Sequence, residues 1–423
     1  MRAFKRVLLI VGINLVLIAS SFELAGNALY WFDGNSGIFY RRVRTLTSHE
    51  VRTNPWGVPD HHPILHPYFG FLYATSPGTA QPHGVHLNNH MFVQQRAHAR
   101  QHPTCCDFPI RGRDPDEVIV AFFGGSVAGN VALTAQEDDR LSMLLKDAPK
   151  FRGKRIRTLN FAVGGHKQPQ QLMILAYYLS LGQRFDAVIN IDGFNEIVFG
   201  PANDEQGVAV GYPNPYQWLR LAAFLSEQAM RPGPAGVEAA YRKMMARKWD
   251  RWTATCRVAT CYLLGRIPIF WYADGNATNT SPFPSAPSRD YVVLNPSTGD
   301  DALTQTADQW AESIRLMHEM LSRRGIQFLS IVQPNQWFRS GPSYQPRRAA
   351  DEFTQRVVRS VQPGYRELLA RVPALRAQGV AVLDETKLFD GESHKIYADD
   401  CCHFSPAGNA MLLDVAAQWL IRQ

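Results

Sequence analysis

Val118-Ile119-Val120-Ala121-Phe122-Phe123-Gly124-Gly125-Ser126 is an apolar, strand-length run that stops on two glycines and a serine. Bounded by a turn in this way, it reads as a strand buried on both faces, the kind that parallel sheets carry. The glycines let the chain turn sharply and hold the serine hydroxyl beyond the strand's carboxyl end, where open α/β sheets bind ligands. The same layout recurs twice. Asn160-Phe161-Ala162-Val163-Gly164-Gly165 closes the apolar run 156–163, and Asp192-Gly193-Phe194-Asn195-Glu196 closes the run 187–191. Near the end, Asp400-Cys401-Cys402-His403 leads into Phe404-Ser405-Pro406-Ala407-Gly408. An amphipathic helix follows, with Ala410, Leu412, Leu413, Val415, Ala416 and Leu420 as its apolar positions.

These residue types share one chemistry. An acid three residues before a histidine lets a single turn present both side chains, the carboxylate holding Nδ1–H while Nε2 faces outward as a general base. Ser126 is then the nucleophile, and a glycine N–H with an asparagine amide are donors that stabilise an oxyanion. Asp399 rivals Asp400, at a spacing of four. Each block also has a bland reading: Ser126 as a helix cap, Asn195 as a turn brace, the acid as an ion-pair partner.

Ser, Gly, Asn and His in that order, each on its own loop, resemble the SGNH (GDSL-type) hydrolase superfamily, over roughly residues 115–200 and 325–423. The resemblance implies Ser126, Asp400 and His403 as catalytic residues. It also implies an oxyanion hole from the N–H groups of Ser126 and Gly165 and the side chain of Asn195. It selects Asp400 over Asp399, and Gly165 over Gly164. It needs no cofactor or metal. Two positions depart from the family: Gly125 replaces the Asp of the founding signature, and Gly193-Phe194-Asn195-Glu196 replaces Gly-x-Asn-Asp. An α/β-hydrolase elbow would be Gly-x-Ser-x-Gly, but here the second glycine falls one place late, at Gly129.

The expected fold is an α/β three-layer αβα sandwich with a parallel, flavodoxin-like sheet. Its strands are placed at 118–124, 156–163, 186–192, 326–332 and 380–384, with helices around 137–147, 168–181 and 302–323 and a closing helix after residue 405. A large helical and loop insertion, roughly 197–300, interrupts residues 116–423 and reads as a lid or substrate wall. Residues 33–115 read as an irregular extension, in which His66-Pro67-Tyr68-Phe69-Gly70 and Leu87-Asn88-Asn89-His90-Met91-Phe92 resemble short extended segments that precede the core in membrane-anchored SGNH relatives.

The chain has 423 residues and 45% hydrophobic content, enough for a large core, and is not a disordered protein. Arg2, Lys5 and Arg6 precede an apolar run from Val7 to Phe22. Residues 1–32 therefore read as a transmembrane anchor or a signal peptide, the anchor favoured. Basic residues ahead of the run put the rest of the chain in the periplasm or outside the cell. A net charge of +7 suits an anionic lipid surface or an acidic glycan, and no nucleic-acid module is visible. The resemblance extends to membrane-anchored bacterial enzymes that esterify or de-esterify envelope glycans, which implies an acyl-ester or glycan substrate. A degenerate glycan-binding or scaffold module is the alternative, and a partner membrane protein a further expectation.

Six cysteines fit an oxidising compartment: Cys105, Cys106, Cys256, Cys261, Cys401 and Cys402. A local Cys256–Cys261 bridge and a staple from Cys105 or Cys106 to Cys401 or Cys402 are expected, because adjacent cysteines rarely bridge each other. His83, His86 and His90 lie close in sequence, but Pro82 and Gly84 disfavour a shared helical face and no acidic ligand is near, so no metal site is expected.

Overall fold

The computed structural model describes residues 2–32, 61–75, 85–95, 98, 106–112, 114–217, 302–339 and 352–423. The chain divides into two compact units, Met1–Thr53 with Ala223–Ser285, and Asn54–Ala222 with Ala286–Gln423. In the first, α1 (Arg2–Phe32) is a 31-residue helix, about 46 Å long at 1.5 Å per residue. Its stretch Val11–Ala28 is long and apolar enough to cross a membrane. A membrane anchor and a signal sequence share that character.

The second unit is built on a five-stranded, all-parallel sheet. Its strands are β5 (Glu117–Gly124), β6 (Arg155–Asn160), β7 (Ala187–Asp192), β8 (Gln327–Val332) and β9 (Val382–Asp384), in the spatial order β6-β5-β7-β8-β9. Register runs Glu117↔Arg155 to Phe122↔Asn160 on one side of β5 and Val120↔Ala187 to Gly124↔Ile191 on the other. Ile119, Ala121 and Phe123 face one core, while Val120 and Phe122 face a second. The sheet is thus covered on both sides, and its central strand β5 reads as a continuous apolar run for that reason.

One face is covered by α2 (Ser126–Gln136), α3 (Arg140–Leu145) and α8 (Pro406–Arg422). The other carries α4 (Gln170–Ser180), α5 (Phe194–Glu205), α6 (Ala302–Ser322) and α7 (Glu352–Ala377). This is the expected three-layer sandwich. Because the chain crosses from β5 to β6 and then back to β7 on the other side, a crevice opens at the carboxyl ends of β5 and β7.

Three local differences from expectation have physical reasons. The helix expected around 137–147 begins earlier, directly at Ser126. It breaks at Asp138 and Asp139, both left-handed, before α3. Helix α5 continues to Glu205 with Pro201 inside, into the stretch expected as an insertion. The extension before β5 is not wholly irregular: β1 (His61–His66) pairs with β2 (Gly70–Thr75), and β3 (Val85–Leu87) with β4 (Val93–Gln95). Gln94, fully buried, donates to the Asn160 carbonyl at 2.8 Å and accepts from Gln136 at 2.7 Å, which docks β4 beside the edge strand β6. Of the histidines considered together, His83 lies outside the described residues, and His90 bonds through Nδ1 to the Tyr178 hydroxyl at 2.8 Å.

His98 is buried between Asp139, 2.7 Å from its Nδ1, and the Thr158 N–H, 3.1 Å from its Nε2. Since Nε2 must accept, this imidazole belongs in the neutral form, and burial with the nearby Arg157 pushes its pKa down to about 4. Between that value and about 6.5, the unfolded chain takes up a proton that the fold refuses. Stability from this group is full above about pH 6.5 and is lost as pH falls towards 4, amounting to about 2 kcal/mol by pH 5.0. The buried Asp192 and Glu196 carboxyls, both raised, act with the opposite sign, so the contrast with a variant isolates the imidazole. Urea midpoints of wild type are expected to fall more steeply between pH 7.5 and 5.0 than those of His98→Gln. Parallel profiles would refute this.

Candidate active site

The turn after β5 is shaped by two glycines with different jobs. Gly124 has φ +141°, and a Cβ there would lie 2.1 Å from the Ile191 carbonyl oxygen and 2.5 Å from Ala128 Cβ. Only glycine fits this crossing of strand and helix. Gly125 has an ordinary extended backbone, yet a Cβ there would sit 2.2 Å from Asn195 Nδ2. Ser126 is the first residue of α2, so its N–H has no acceptor within the helix and points out with the others of the first turn.

The opposing loop, 398–403, is enclosed by a bridge of Tyr397 with Phe404 and leads into α8. Ala398 N–H donates to the His403 carbonyl at 2.9 Å and closes it. Asp399, not the expected Asp400, meets the imidazole: Oδ2 accepts from His403 Nδ1, while Oδ1 accepts the N–H groups of Cys401, Cys402 and His403 at 3.0, 3.0 and 3.2 Å. The chain coils back so that these donors converge on the first aspartate. Asp400 instead offers its carbonyl to Trp337 Nε1 at 2.7 Å. Burial alone would raise the Asp399 carboxyl, but the imidazole and the backbone N–H groups outweigh it and hold it at about 2. With Nδ1 donating, Nε2 is the accepting nitrogen, and it lies 2.7 Å from Ser126 Oγ.

Behind this loop stands Asn335-Gln336-Trp337, just after β8. Asn335 Nδ2 donates to the Cys401 carbonyl at 3.1 Å and Gln336 Nε2 to the Asp399 carbonyl at 3.0 Å. Both side chains are fully buried, and each gives its amide N–H to a main-chain carbonyl of the histidine loop. Sequence reasoning overlooked them. The available signal was a polar cluster immediately after an apolar strand.

On the third side, Asn195 at the start of α5 donates from Nδ2 to the His166 carbonyl at 2.7 Å, and the same amide faces Gly125. Gly165 has φ +78°, and a Cβ there would touch Asn214 Nδ2 at 3.0 Å. Strand β2 braces this loop: His166 Nε2 donates to the Phe71 carbonyl at 2.8 Å and Tyr73 hydroxyl to the Gly164 carbonyl at 3.1 Å. Burial pushes His166 down to about 3, which keeps it a neutral imidazole. Nothing in the sequence pattern singled out residues 69–73 for this role.

The expected staple between the two cysteine pairs is replaced by a bridge between adjacent residues, Cys401–Cys402. Cys106 is also disulfide-bonded, so with both sulfurs of the late pair engaged its partner is neither Cys401 nor Cys402. Cys105, Cys256 and Cys261 lie outside the described residues. The tight turn that gathers three N–H groups onto Asp399 is what brings the two adjacent sulfurs together. Non-reducing peptide mapping is expected to find Cys401 and Cys402 joined within one peptide. A mixed peptide containing residue 105 or 106 would restore the staple. Cys401, Cys402 and His403 are the metal-ligand side chains that cluster among the described residues, but bonded sulfurs offer no thiolate.

No family model and no curated protein matches this chain. Similar solved structures include a lipase/acylhydrolase from Enterococcus faecalis, 12% identical, covering 72% of this chain and 95% of that one at a TM-score of 0.35. A GDSL-like lipase from Bacteroides thetaiotaomicron is 11% identical, with 77% and 96% covered and a TM-score of 0.31. An acetyl xylan esterase is 12% identical, with 72% and 98% covered and a TM-score of 0.32. At such identities and scores, the site stands on its own geometry.

Proposed function

We propose that this chain performs serine-dependent acyl-ester chemistry, as an acetylesterase or O-acetyltransferase acting on an envelope or extracellular glycan. The observation that carries the reading is the line from Asp399 through the His403 imidazole to Ser126 Oγ, with an accepting nitrogen 2.7 Å from the hydroxyl. In this scheme the Ser126 proton passes to His403 Nε2 as Oγ bonds to the ester carbonyl carbon. The oxyanion forms between the N–H groups of Ser126 and Gly165 and the amide of Asn195. Collapse breaks the ester C–O bond, and the departing alkoxide takes the proton from Nε2. Water or a sugar hydroxyl then attacks the acyl-serine, its proton passing to Nε2; the acyl carbon–Oγ bond breaks, and Nε2 returns the proton to Oγ, which regenerates Ser126. Protein groups supply every step, so the scheme calls on no cofactor.

The glycan class is supported by the net charge of +7 and by an apolar N-terminal helix able to tether the chain at a membrane. That helix, with Arg2, Lys5 and Arg6 before its apolar stretch, would leave the catalytic unit on the periplasmic side of the inner membrane. A partner membrane protein that delivers the acyl group belongs to the transferase form of the reading.

The test uses full-length protein in detergent, wild type and Ser126→Ala, with circular dichroism to confirm folding. Fluorophosphonate labelling and 4-nitrophenyl acetate turnover are expected in wild type alone. Equal turnover in the alanine variant would sink the proposal. Adding an oligosaccharide acceptor separates the two forms, since a transferase yields an O-acetylated sugar where an esterase yields acetate.

A further inference from the structure

The two loops that carry the proposed oxyanion donors are tied together by one buried carboxylate. Glu196, only 1% exposed, accepts the Gln168 N–H on Oε1 at 2.9 Å and the Gly193 N–H on Oε2 at 2.8 Å. Gln168 lies three residues after Gly165, and Gly193 lies two before Asn195. A second link closes the ring: Asn195 Nδ2 donates to the His166 carbonyl at 2.7 Å. From Glu196 through Gln168, Lys167 and His166 to Asn195 and back, two hydrogen bonds and two short pieces of chain form a closed circuit. Gly165 is bonded directly to one member of that circuit, and the Asn195 amide is another. The separation and aim of both donors are therefore set by a loop that the Glu196 carboxylate completes.

The surroundings keep this carboxylate in place. Lys167 is buried beside it, with Nζ donating to the Val210 and Gln168 carbonyls. Asp192, one turn away, is held by Trp310 Nε1 at 3.0 Å and Asn190 Nδ2 at 2.6 Å. Burial raises both acids, and the neighbouring Glu196 raises Asp192 further, while backbone N–H groups and Lys167 favour the charged form of Glu196.

We infer that Glu196 is the positioning residue of the oxyanion hole, acting through Asn195 and the loop of Gly165 rather than by touching substrate. This rests on the acyl-transfer reading above. A carboxylate is required because it offers an acceptor to each of two N–H groups. Glutamine, of the same shape, has one acceptor oxygen and turns an N–H₂ towards the other donor, leaving a buried N–H unpaired.

The experiment is a double-mutant cycle on full-length protein with 4-nitrophenyl acetate, using Glu196→Gln, Asn195→Ala and the pair. Glu196→Gln is expected to lower kcat by about 10- to 100-fold, with KM within about twofold and the thermal midpoint still cooperative. In the Asn195→Ala background the same change is expected to cost less than about threefold, because the donor it positions is already gone. A residue that merely caps α5 would give losses that multiply, and that result overturns the assignment, as does an unchanged kcat in the single variant. If Glu196→Gln does not fold, Glu196→Asp is used in the same cycle, its shorter arm reaching one N–H only. The control is Ser126→Ala: turnover surviving there removes the catalytic reading itself, whereas its loss beside a multiplicative cycle removes only the role of Glu196.

Discussion

Asp399→Asn is expected to lower kcat by about 10³- to 10⁴-fold, while Asp400→Asn stays within about threefold of wild type. The two residues are neighbours in sequence and differ in what they reach. Asp399 Oδ2 takes the Nδ1 proton of His403, which fixes the tautomer whose Nε2 accepts from Ser126. An asparagine there can present its N–H₂ to Nδ1. The imidazole then carries its proton on Nε2, facing a hydroxyl that it can no longer deprotonate. Asp400 contributes its main-chain carbonyl to Trp337, and asparagine keeps that group. The Asp399 change also has a stability signature. Its carboxyl is held at about 2 in the fold against about 3.9 unfolded. The stability it adds is present above about pH 4 and is lost as pH falls towards 2. Asp399→Asn should therefore lower the thermal midpoint at pH 7 and flatten its acid side, and kcat of both variants on 4-nitrophenyl acetate decides the assignment. A collapse of activity in Asp400→Asn with Asp399→Asn intact would reverse it.

What could be read from the sequence follows from what the chain must bury. Strands β5, β7 and β8 are covered on both faces and read as mostly apolar, and the loops after β5, β6 and β7 carry Ser126, Gly165 and Asn195. Helix α7 was concealed by Pro363 and Pro373 inside it. Its buried positions, Val357, Val361, Tyr365, Leu368 and Val372, nevertheless keep helical spacing. The hairpins before β5 were concealed because they contribute through main-chain carbonyls: Phe69 and Phe71 accept from Gln170 and His166, and a carbonyl has no sequence signature. The choice between Asp399 and Asp400 depends on the dihedral path of four residues, which spacing alone does not determine. The pairing of Cys401 with Cys402 follows from the same tight path.

Asn195→Ala is expected to cost about 10²- to 10³-fold in kcat, or ~3–4 kcal/mol, with little change in KM, as the removal of one oxyanion donor does. Gly125→Ala is expected to do the same while leaving every group that meets substrate chemically unchanged. Its backbone, φ −88° and ψ −152°, is one that alanine adopts, so the turn itself survives. The added methyl would lie 2.2 Å from Asn195 Nδ2, 3.3 Å from its Cγ and 3.2 Å from the His166 carbonyl. The movable partner among these is the end of the asparagine side chain, and moving it pulls the amide from the oxyanion. The space beside the turn is taken by the amide. The double variant should therefore be little worse than either single one, because both delete the same donor. Gly124→Ala gives the contrast: its methyl meets the Ile191 main-chain oxygen at 2.1 Å, which cannot rotate away, so loss of folding precedes loss of catalysis. Circular dichroism and kcat measured on the four proteins separate these outcomes. Full activity in Gly125→Ala would mean that the Asn195 amide is not where turnover needs it.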